Sequence, residues 1–408
     1  ADTLGKGLGL MTLNWKIPFG DLRVGPLTKR RAMEALDSNW ISEGRFVREF
    51  EEKFAAKFGW KHAIATSSGT DAGTVVWAAI RELCGGCYGA GAVITPACAF
   101  AASANCILAS GAKPDFADVS LETLNLNPAQ MKDLIEIGCI GIQFVATMGK
   151  PTPIKEVAKI AEARDLYLIG DWCEAHGSRF VGTTSLPGYH TEAYAEHACD
   201  AVLFSFYAAH LIVGGEGGMI CTDDDDITAL CRSVKSHGRP NGSNYFDFQR
   251  VGFNSKWNEL CAAVALESLE RFDETFAKRR EIRQKLFDAL SPFEGRLILY
   301  RDAPGEVIAP HAFPVVLRDH QGDDLVSVRP IYRLYRRLEE AGVQVKTLFG
   351  SLPTQHQAFE FLGHKLGDFP VAERIGRTGL HFSCSEFMTD EDIDLIAATI
   401  EDYFKTNA

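Results

Sequence analysis

Ser205-Phe206-Tyr207-Ala208-Ala209-His210, followed by Gly214-Gly215-Glu216-Gly217-Gly218, is the stretch on which the reading of this chain turns. Residues 201–206 have the aliphatic and aromatic content of a buried strand and end beside a hydroxyl side chain. A glycine-rich turn then leads into a second strand-like run, 218–222. His210 therefore stands just beyond a strand end, where open parallel sheets bind ligands. Taken alone, a loop histidine is more often a hydrogen-bonded structural residue than a catalytic one. Its company changes the reading here.

Upstream, β-rich runs at 62–65, 92–95, 115–119, 141–146 and 166–171 alternate with helical patterns such as 154–164. This alternation marks a mainly parallel sheet covered by helices. Val47, Phe50, Phe54 and Phe58 follow helical spacing, and Gly59 sits where a C-terminal cap is expected. After Gly252 the character shifts. Residues 258–290 read as one long helix or a broken pair, followed by strand-like pieces at 307–317 and 343–347 and helices at 331–341 and 390–404. Thr389 and Asp392 are suited to cap the last helix. The expected organisation is α/β: an N-terminal extension over 1–17, a large domain over 18–265 with a mainly parallel mixed sheet, and a smaller C-terminal α+β domain over 266–408.

Composition narrows the function. Of 408 residues, 46% are apolar and 24% charged, the balance of a globular protein with ample core. With 42 basic and 54 acidic residues the net charge is −12, which argues against nucleic acid or an anionic membrane as the main partner. No apolar run approaches the ~20 residues of a membrane span. Eleven cysteines without a convincing secretory leader suggest reduced thiols and a cytoplasmic setting.

Two further strand ends carry chemistry. Ser67-Ser68-Gly69-Thr70 closes one strand and opens a helix, so its amides and hydroxyls suit a phosphate; the plainer alternative is an ordinary capped turn. Asp171 ends an apolar strand and needs a cationic or hydrogen-bonding partner, either a protonated heterocyclic nitrogen or an arginine. Cys84 and Cys87 have Cys-x-x-Cys spacing but no second pair, which favours a structural role and no metal site. Asp223 to Asp226 read as a solvated turn that caps the next helix, and His176 as a packed residue beside Asp171.

Ser-Gly-Thr at 68–70, Thr-Pro-Ala-Cys-Ala-Phe at 95–100, Asp-Trp-Cys-Glu-Ala-His-Gly at 171–177, the 205–218 stretch and Gly-Phe-Asn-Ser-Lys-Trp-Asn-Glu-Leu at 252–260 together resemble the DegT/DnrJ/EryC1/StrS sugar aminotransferases. The likeness extends to Asn39–Gly44 and to Pro370-Val371-Ala372-Glu373, nearly the whole chain. It implies the fold-type-I, aspartate aminotransferase-like architecture and a cofactor, pyridoxal 5'-phosphate or pyridoxamine 5'-phosphate. Residue by residue, Gly69, Thr70 and Ser205 are expected to hold its phosphate, aided by Asn254 from the second subunit of a homodimer. Phe100 is expected to stack on the ring and Asp171 to pair with the ring nitrogen. Glu174 falls where aminotransferases usually carry Gln near the ring hydroxyl, a departure from the pattern.

The decisive departure is His210. The family's aminotransferases place there the lysine that links covalently to the cofactor, and imidazole cannot form that bond. It remains a proton carrier near neutral pH. Histidine at this position resembles the branch of sugar 3-dehydratases, and 346–352 also resembles a segment of that branch. The resemblance implies removal of the C3 hydroxyl from a nucleotide-linked 4-keto-6-deoxyhexose, with His210 as acid and base and glutamate as amino donor. One sub-branch carries a two-iron cluster held by four cysteines. Cys173 matches its first ligand, but residues 232–260 contain no cysteine, so no cluster is expected. The alternatives are a nucleotide-sugar aminotransferase, natural with a substitute lysine such as Lys256 or blocked at 210, and a non-catalytic binding protein.

Overall fold

The computed structural model describes residues 15–406 apart from 21, 23, 86–90, 132–133, 136–137, 182–191, 241–244 and 319–330. Cys87 and residues 1–14 of the expected extension thus lie outside the described residues.

Nine strands fill the first part of the chain: β1 (His62–Thr66), β2 (Ala92–Pro96), β3 (Lys113–Ala117), β4 (Cys139–Val145), β5 (Tyr167–Asp171), β6 (Arg179–Val181), β7 (Glu192–Tyr194), β8 (Ala201–Ser205) and β9 (Gly218–Thr222). Seven of them form one sheet in the order β1-β9-β8-β5-β4-β2-β3, parallel throughout except that β9 runs antiparallel to both its neighbours. The mainly parallel mixed sheet read from the sequence is therefore present. β3 starts two residues before the expected 115, because Pro114 reads as a break. Pro114 is tolerated there since β3 is an edge strand that needs no amide on its open side.

Helices cover both faces of the sheet. The helix Arg45–Phe58 presents Val47, Phe50, Phe54 and Phe58, all at 0% exposure, to one face, and Gly59 ends it in the left-handed conformation, φ 77°. Each such phenylalanine stabilises the fold by about 1.5–3 kcal/mol through burial. On the opposite face the helix Gly69–Leu83 buries Val75, Val76, Trp77 and Ile80.

The C-terminal part holds β10 (Leu297–Leu299), β11 (Glu306–Val307), β12 (Ala312–Leu317), β13 (Val345–Thr347) and β14 (Gly379–Ser383). Four of these make an antiparallel sheet, β10-β12-β14-β13, with a core of its own. The span expected as one strand over 307–317 is two: β11 joins β6 and β7 in a small three-stranded sheet, and the chain bends at 308–311 before β12. The 258–290 helix is a broken pair, Glu259–Glu270 and Phe272–Leu290. Thr389 and Asp392 cap the last helix reciprocally, each side chain accepting from the other's amide. Ile17 bridges Val343 and packs in this second core, so the start of the described chain joins the C-terminal sheet.

One apolar seam joins the two parts. Ala97, Cys98 and Ala99, just past β2, pack in the same cluster as Leu348, Leu352 and Ile375. The seam brings the ends of β12, β13 and β14 over the carboxyl edge of the large sheet.

Candidate active site

Ser67 follows β1, and its amide donates to the Ser255 carbonyl at 2.9 Å. The Ser68 hydroxyl accepts from the Asp71 amide at 3.0 Å, capping the helix Gly69–Leu83, while the Ser67 hydroxyl is bonded to the Asp71 carboxylate. The Ser68 hydroxyl thus caps the helix, and the Ser67 hydroxyl is taken up by the Asp71 carboxylate. The amides of Gly69 and Thr70, in the first turn and without intrahelical partners, remain as donors. The space in front of them is tight: a Cβ on Gly69 would lie 2.9 Å from both Cys173 Sγ and Ser205 Cβ. A Cβ on Gly218 would lie 2.3 Å from the Ser68 carbonyl oxygen. Glycine at both positions lets β1, β8 and β9 close around one small concavity.

Asp171 ends β5 with both carboxylate oxygens held. Oδ2 accepts from Ser103 Oγ at 2.9 Å and Oδ1 from the Cys173 amide at 3.2 Å. Behind Ser103 runs a buried chain, in which Gln143 Nε2 donates to the Ser103 carbonyl at 2.9 Å and Trp77 Nε1 to Gln143 Oε1 at 2.6 Å. Phe100, at the turn before Ser103, is 62% exposed, its ring 6.0 Å from that of Phe349 on the C-terminal part.

Glu174 Oε2 accepts from the Met148 amide at 2.7 Å, and Oε1 lies 3.8 Å from His311 Nε2. Burial pushes the Glu174 carboxyl up to about 7; the nearby Asp171 adds to this, while the Met148 bond and Lys346 oppose it. His210 donates its amide to the Tyr207 carbonyl at 3.0 Å and accepts from Arg279 Nη2 on its own carbonyl at 3.3 Å. Its Nδ1 is buried without a partner. Desolvation, with Arg279 and Lys346 adding, lowers the imidazole to about 3, so it stands as the free base at neutral pH. The rings of His311 and His176 lie 5.1 and 6.1 Å from it. His176 is fully buried against Phe204 and Phe206, a packed residue as expected.

The opposite wall escaped sequence reasoning. His311 lies in the bend before β12 and His381 lies on β14, with Phe19 between them at ring distances of 6.1 and 5.2 Å. Lys346 Nζ sits 4.0 Å from the centroid of Phe19, and its amine is lowered mainly by burial. Ser103 and Arg279 were likewise missed. Asn254 is exposed and accepts from Lys256 Nζ at 2.5 Å; it shares no hydrogen bond with Asp171, Glu174 or His210. Arg239 and Lys256 line a polar cavity with Glu43 and Lys235, not the cleft at His210. Among the described residues no group of three or more His, Cys, Asp or Glu is placed to hold a metal ion, and no helix is long and apolar enough to cross a membrane. Asp224 caps the helix Asp225–Val234 through the Ile227 amide, so the acidic run is a cap.

The arrangement joins an amide cradle, a fixed carboxylate and a neutral imidazole along one sheet edge. It fits a phosphorylated, protonated heterocycle: the cradle would be filled by any side chain at 69 or 218, and the imidazole carries a nitrogen that nothing in the chain satisfies.

Known proteins resemble this chain along most of its length. The chain is 30% identical to a GDP-perosamine synthase of Caulobacter vibrioides over 90% of its length and 93% of that protein's. It is 27% identical to a dTDP-4-dehydro-2,6-dideoxy-D-glucose 3-dehydratase of Saccharopolyspora spinosa, covering 88% of this chain and 80% of that one. Its fold matches the E coli GDP-4-keto-6-deoxy-D-mannose-3-dehydratase solved with hydrated PLP, with TM-score 0.80 at 22% identity over 94% and 99% of the two chains. Residues 25–401 match the DegT/DnrJ/EryC1/StrS aminotransferase family, so the chain belongs to that family and is an enzyme of the pyridoxal or pyridoxamine phosphate-dependent, fold-type-I kind.

Proposed function

We propose that this protein is a 3-dehydratase acting on a nucleotide-linked 4-keto-6-deoxyhexose. The observation that carries the reading is the residue at 210: a neutral imidazole in the cleft where the family's aminotransferases place a lysine. When bound, the cofactor supplies a primary amine for the substrate's C4 ketone and a conjugated ring that accepts electrons. The amides of Gly69 and Thr70 and the Ser205 hydroxyl would hold its phosphate, Phe100 would cover the ring, and Asp171, fixed by Ser103 and the Cys173 amide, would hold the ring-nitrogen proton. Glu174 would face the ring hydroxyl. His210 would take up a proton in the cleft and deliver it to the C3 hydroxyl, which would leave as water. A positioned acid–base group of this kind contributes about 10²–10⁴ in rate. Without a lysine at 210 the chain would offer no covalent tether there, and glutamate would serve as amino donor. Asn254, exposed here, completes the site of a second copy in a homodimer.

The second reading, a nucleotide-sugar aminotransferase, is favoured by the 30% identity to a GDP-perosamine synthase. It needs another lysine, and Lys346, with its lowered amine, is better placed than Lys256. The test is borohydride reduction of the loaded enzyme followed by peptide mass spectrometry, alongside incubation with 4-keto nucleotide sugars read by product mass. Loss of one water with no labelled lysine is the expected result. A pyridoxyl-labelled lysine, or amination in place of water loss, would sink the dehydratase reading.

A further inference from the structure

Buried neutral histidines are common in protein cores, but nearly all have both ring nitrogens occupied. Here four do not: His176, His210, His311 and His381 each carry at least one buried ring nitrogen without a partner. Nδ1 of His210 and Nδ1 of His311 are both buried without a partner, and the rings lie 5.1 Å apart at 34°. No hydrogen bond joins the two Nδ1 atoms as they stand, and a rotation of one ring is needed to bring nitrogen to nitrogen. The far nitrogen of His311, Nε2, is 3.8 Å from Glu174 Oε1, longer than a hydrogen bond and short enough to become one by a small ring rotation. His311 is 5% exposed, and His210 is half-buried.

We propose that His311 relays protons between His210 and Glu174, making it a positioning residue for the base at 210. The inference rests on His210 as the proton carrier of the reaction. When His210 holds a proton, the His210 ring gives it from one nitrogen to the free nitrogen of His311, and His311 releases the proton on its other nitrogen to the Glu174 carboxylate. One proton leaves His210, one arrives on Glu174, and His311 ends neutral with its tautomer reversed. The reverse passage reloads His210.

The surroundings favour moving the charge this way. Arg279 and Lys346 face His210 and oppose a positive ring there, and His176 and Tyr207 pack against it without offering a counter-charge. His381 and Lys346 act likewise on His311. On the other side, Asp171 raises Glu174 toward the protonated form. A carboxyl that titrates near neutrality thus lies at the end of a two-ring path from the base. The same residue explains the departure from Gln at 174, since an amide cannot take up a proton.

The test uses histidine-labelled full-length protein, with and without pyridoxamine 5'-phosphate, and reads imidazole nitrogen shifts by NMR across neutral pH. In the unaltered protein, ionisation of Glu174 changes the tautomer signature of His210, and Glu174→Gln abolishes that change. His311→Gln, or His311→Asn if the longer side chain disturbs folding, abolishes it as well, while His381→Asn leaves it intact. Persistence of the Glu174-linked response in both His311 variants would overturn the relay. With substrate, Glu174→Gln and His311→Gln each lower turnover by about 10²-fold, and the double variant is no slower than the slower single one. Multiplying losses would also overturn it. The spectroscopic arm needs no turnover, so failure of the dehydration reading and failure of the relay are told apart.

Discussion

Ser103 Oγ donates to Asp171 Oδ2 at 2.9 Å while the Ser103 carbonyl accepts from Gln143, so the carboxylate that ends β5 is aimed by a residue on the neighbouring helix Ala102–Ala109. A hydrogen bond to a charged group contributes about 1.5–3 kcal/mol. Ser103→Ala removes it and frees the carboxylate to rotate. Cofactor affinity should fall by about 10- to 100-fold, as each 1.4 kcal/mol is tenfold, and the cofactor-free protein should melt a few degrees lower. Absorbance titration with pyridoxal phosphate measures it; an unaltered Kd would show that Ser103 does not orient Asp171.

Gly69 allows a second check. A methyl group there meets Cys173 Sγ and Ser205 Cβ at 2.9 Å, and neither is the flexible end of a long side chain. Gly69→Ala should push the first turn of its helix away from β8, costing about 1–3 kcal/mol as an overpacked contact and weakening phosphate capture. Cys173→Ala in the same chain should recover part of both losses. No recovery would mean that the cradle closes on Ser205 alone.

How far the sequence foretold this can be judged from the residues themselves. Asp171 and Ser205 were legible because each ends a strand of a mainly parallel sheet, and His210 because it follows such an end, a local pattern whose spatial meaning is general. His311 and His381 were not, and Lys346 entered only as the first residue of the 346–352 segment, with no place in the site. The 307–317 run looks like one strand, and only pairing with β6 on one side and with β10 and β14 on the other reveals the bend that turns His311 inward. β14 itself was unforeseen, as Gly379–Ser383 is a short strand directly after a helix, Pro370–Thr378. Ser103 and Arg279 lie within helices whose apolar periodicity says nothing of what a polar face meets at a sequence separation of 68 or 107.

Glu174 makes a stability prediction of definite sign. Its carboxyl titrates near 7 when folded and near 4.3 when unfolded. The folded state therefore holds a proton that the unfolded state has lost, and the stabilisation present below about 4.3 fades as pH rises through 7. Glu174→Gln keeps an acceptor for the Met148 amide and carries no charge. The variant should melt higher than the parent in mildly alkaline buffer, by on the order of 2 kcal/mol, with the gap closing in acid. A gap independent of pH would refute the buried, raised carboxyl.

The histidines act with the opposite sign. His176, His210, His311 and His381 all have imidazoles lowered chiefly by burial, His210 and His381 to about 3. Unfolded, each titrates near 6.5. Between those values the unfolded chain binds protons that the folded chain refuses, so stability is full above about 6.5 and is lost as pH falls toward 3, each ring adding up to about 1.4 kcal/mol per pH unit. Four rings outweigh one carboxyl, and the net expectation is steep acid unfolding that begins below neutrality. His381→Phe tests the assignment, because His381 is 3% exposed, its Nδ1 has no partner, and Phe19 and Phe349 already pack around it. The variant should lose about one proton from the acid transition, read as a shallower dependence of melting temperature on pH. An unchanged slope would place the protons that drive acid unfolding outside this cluster.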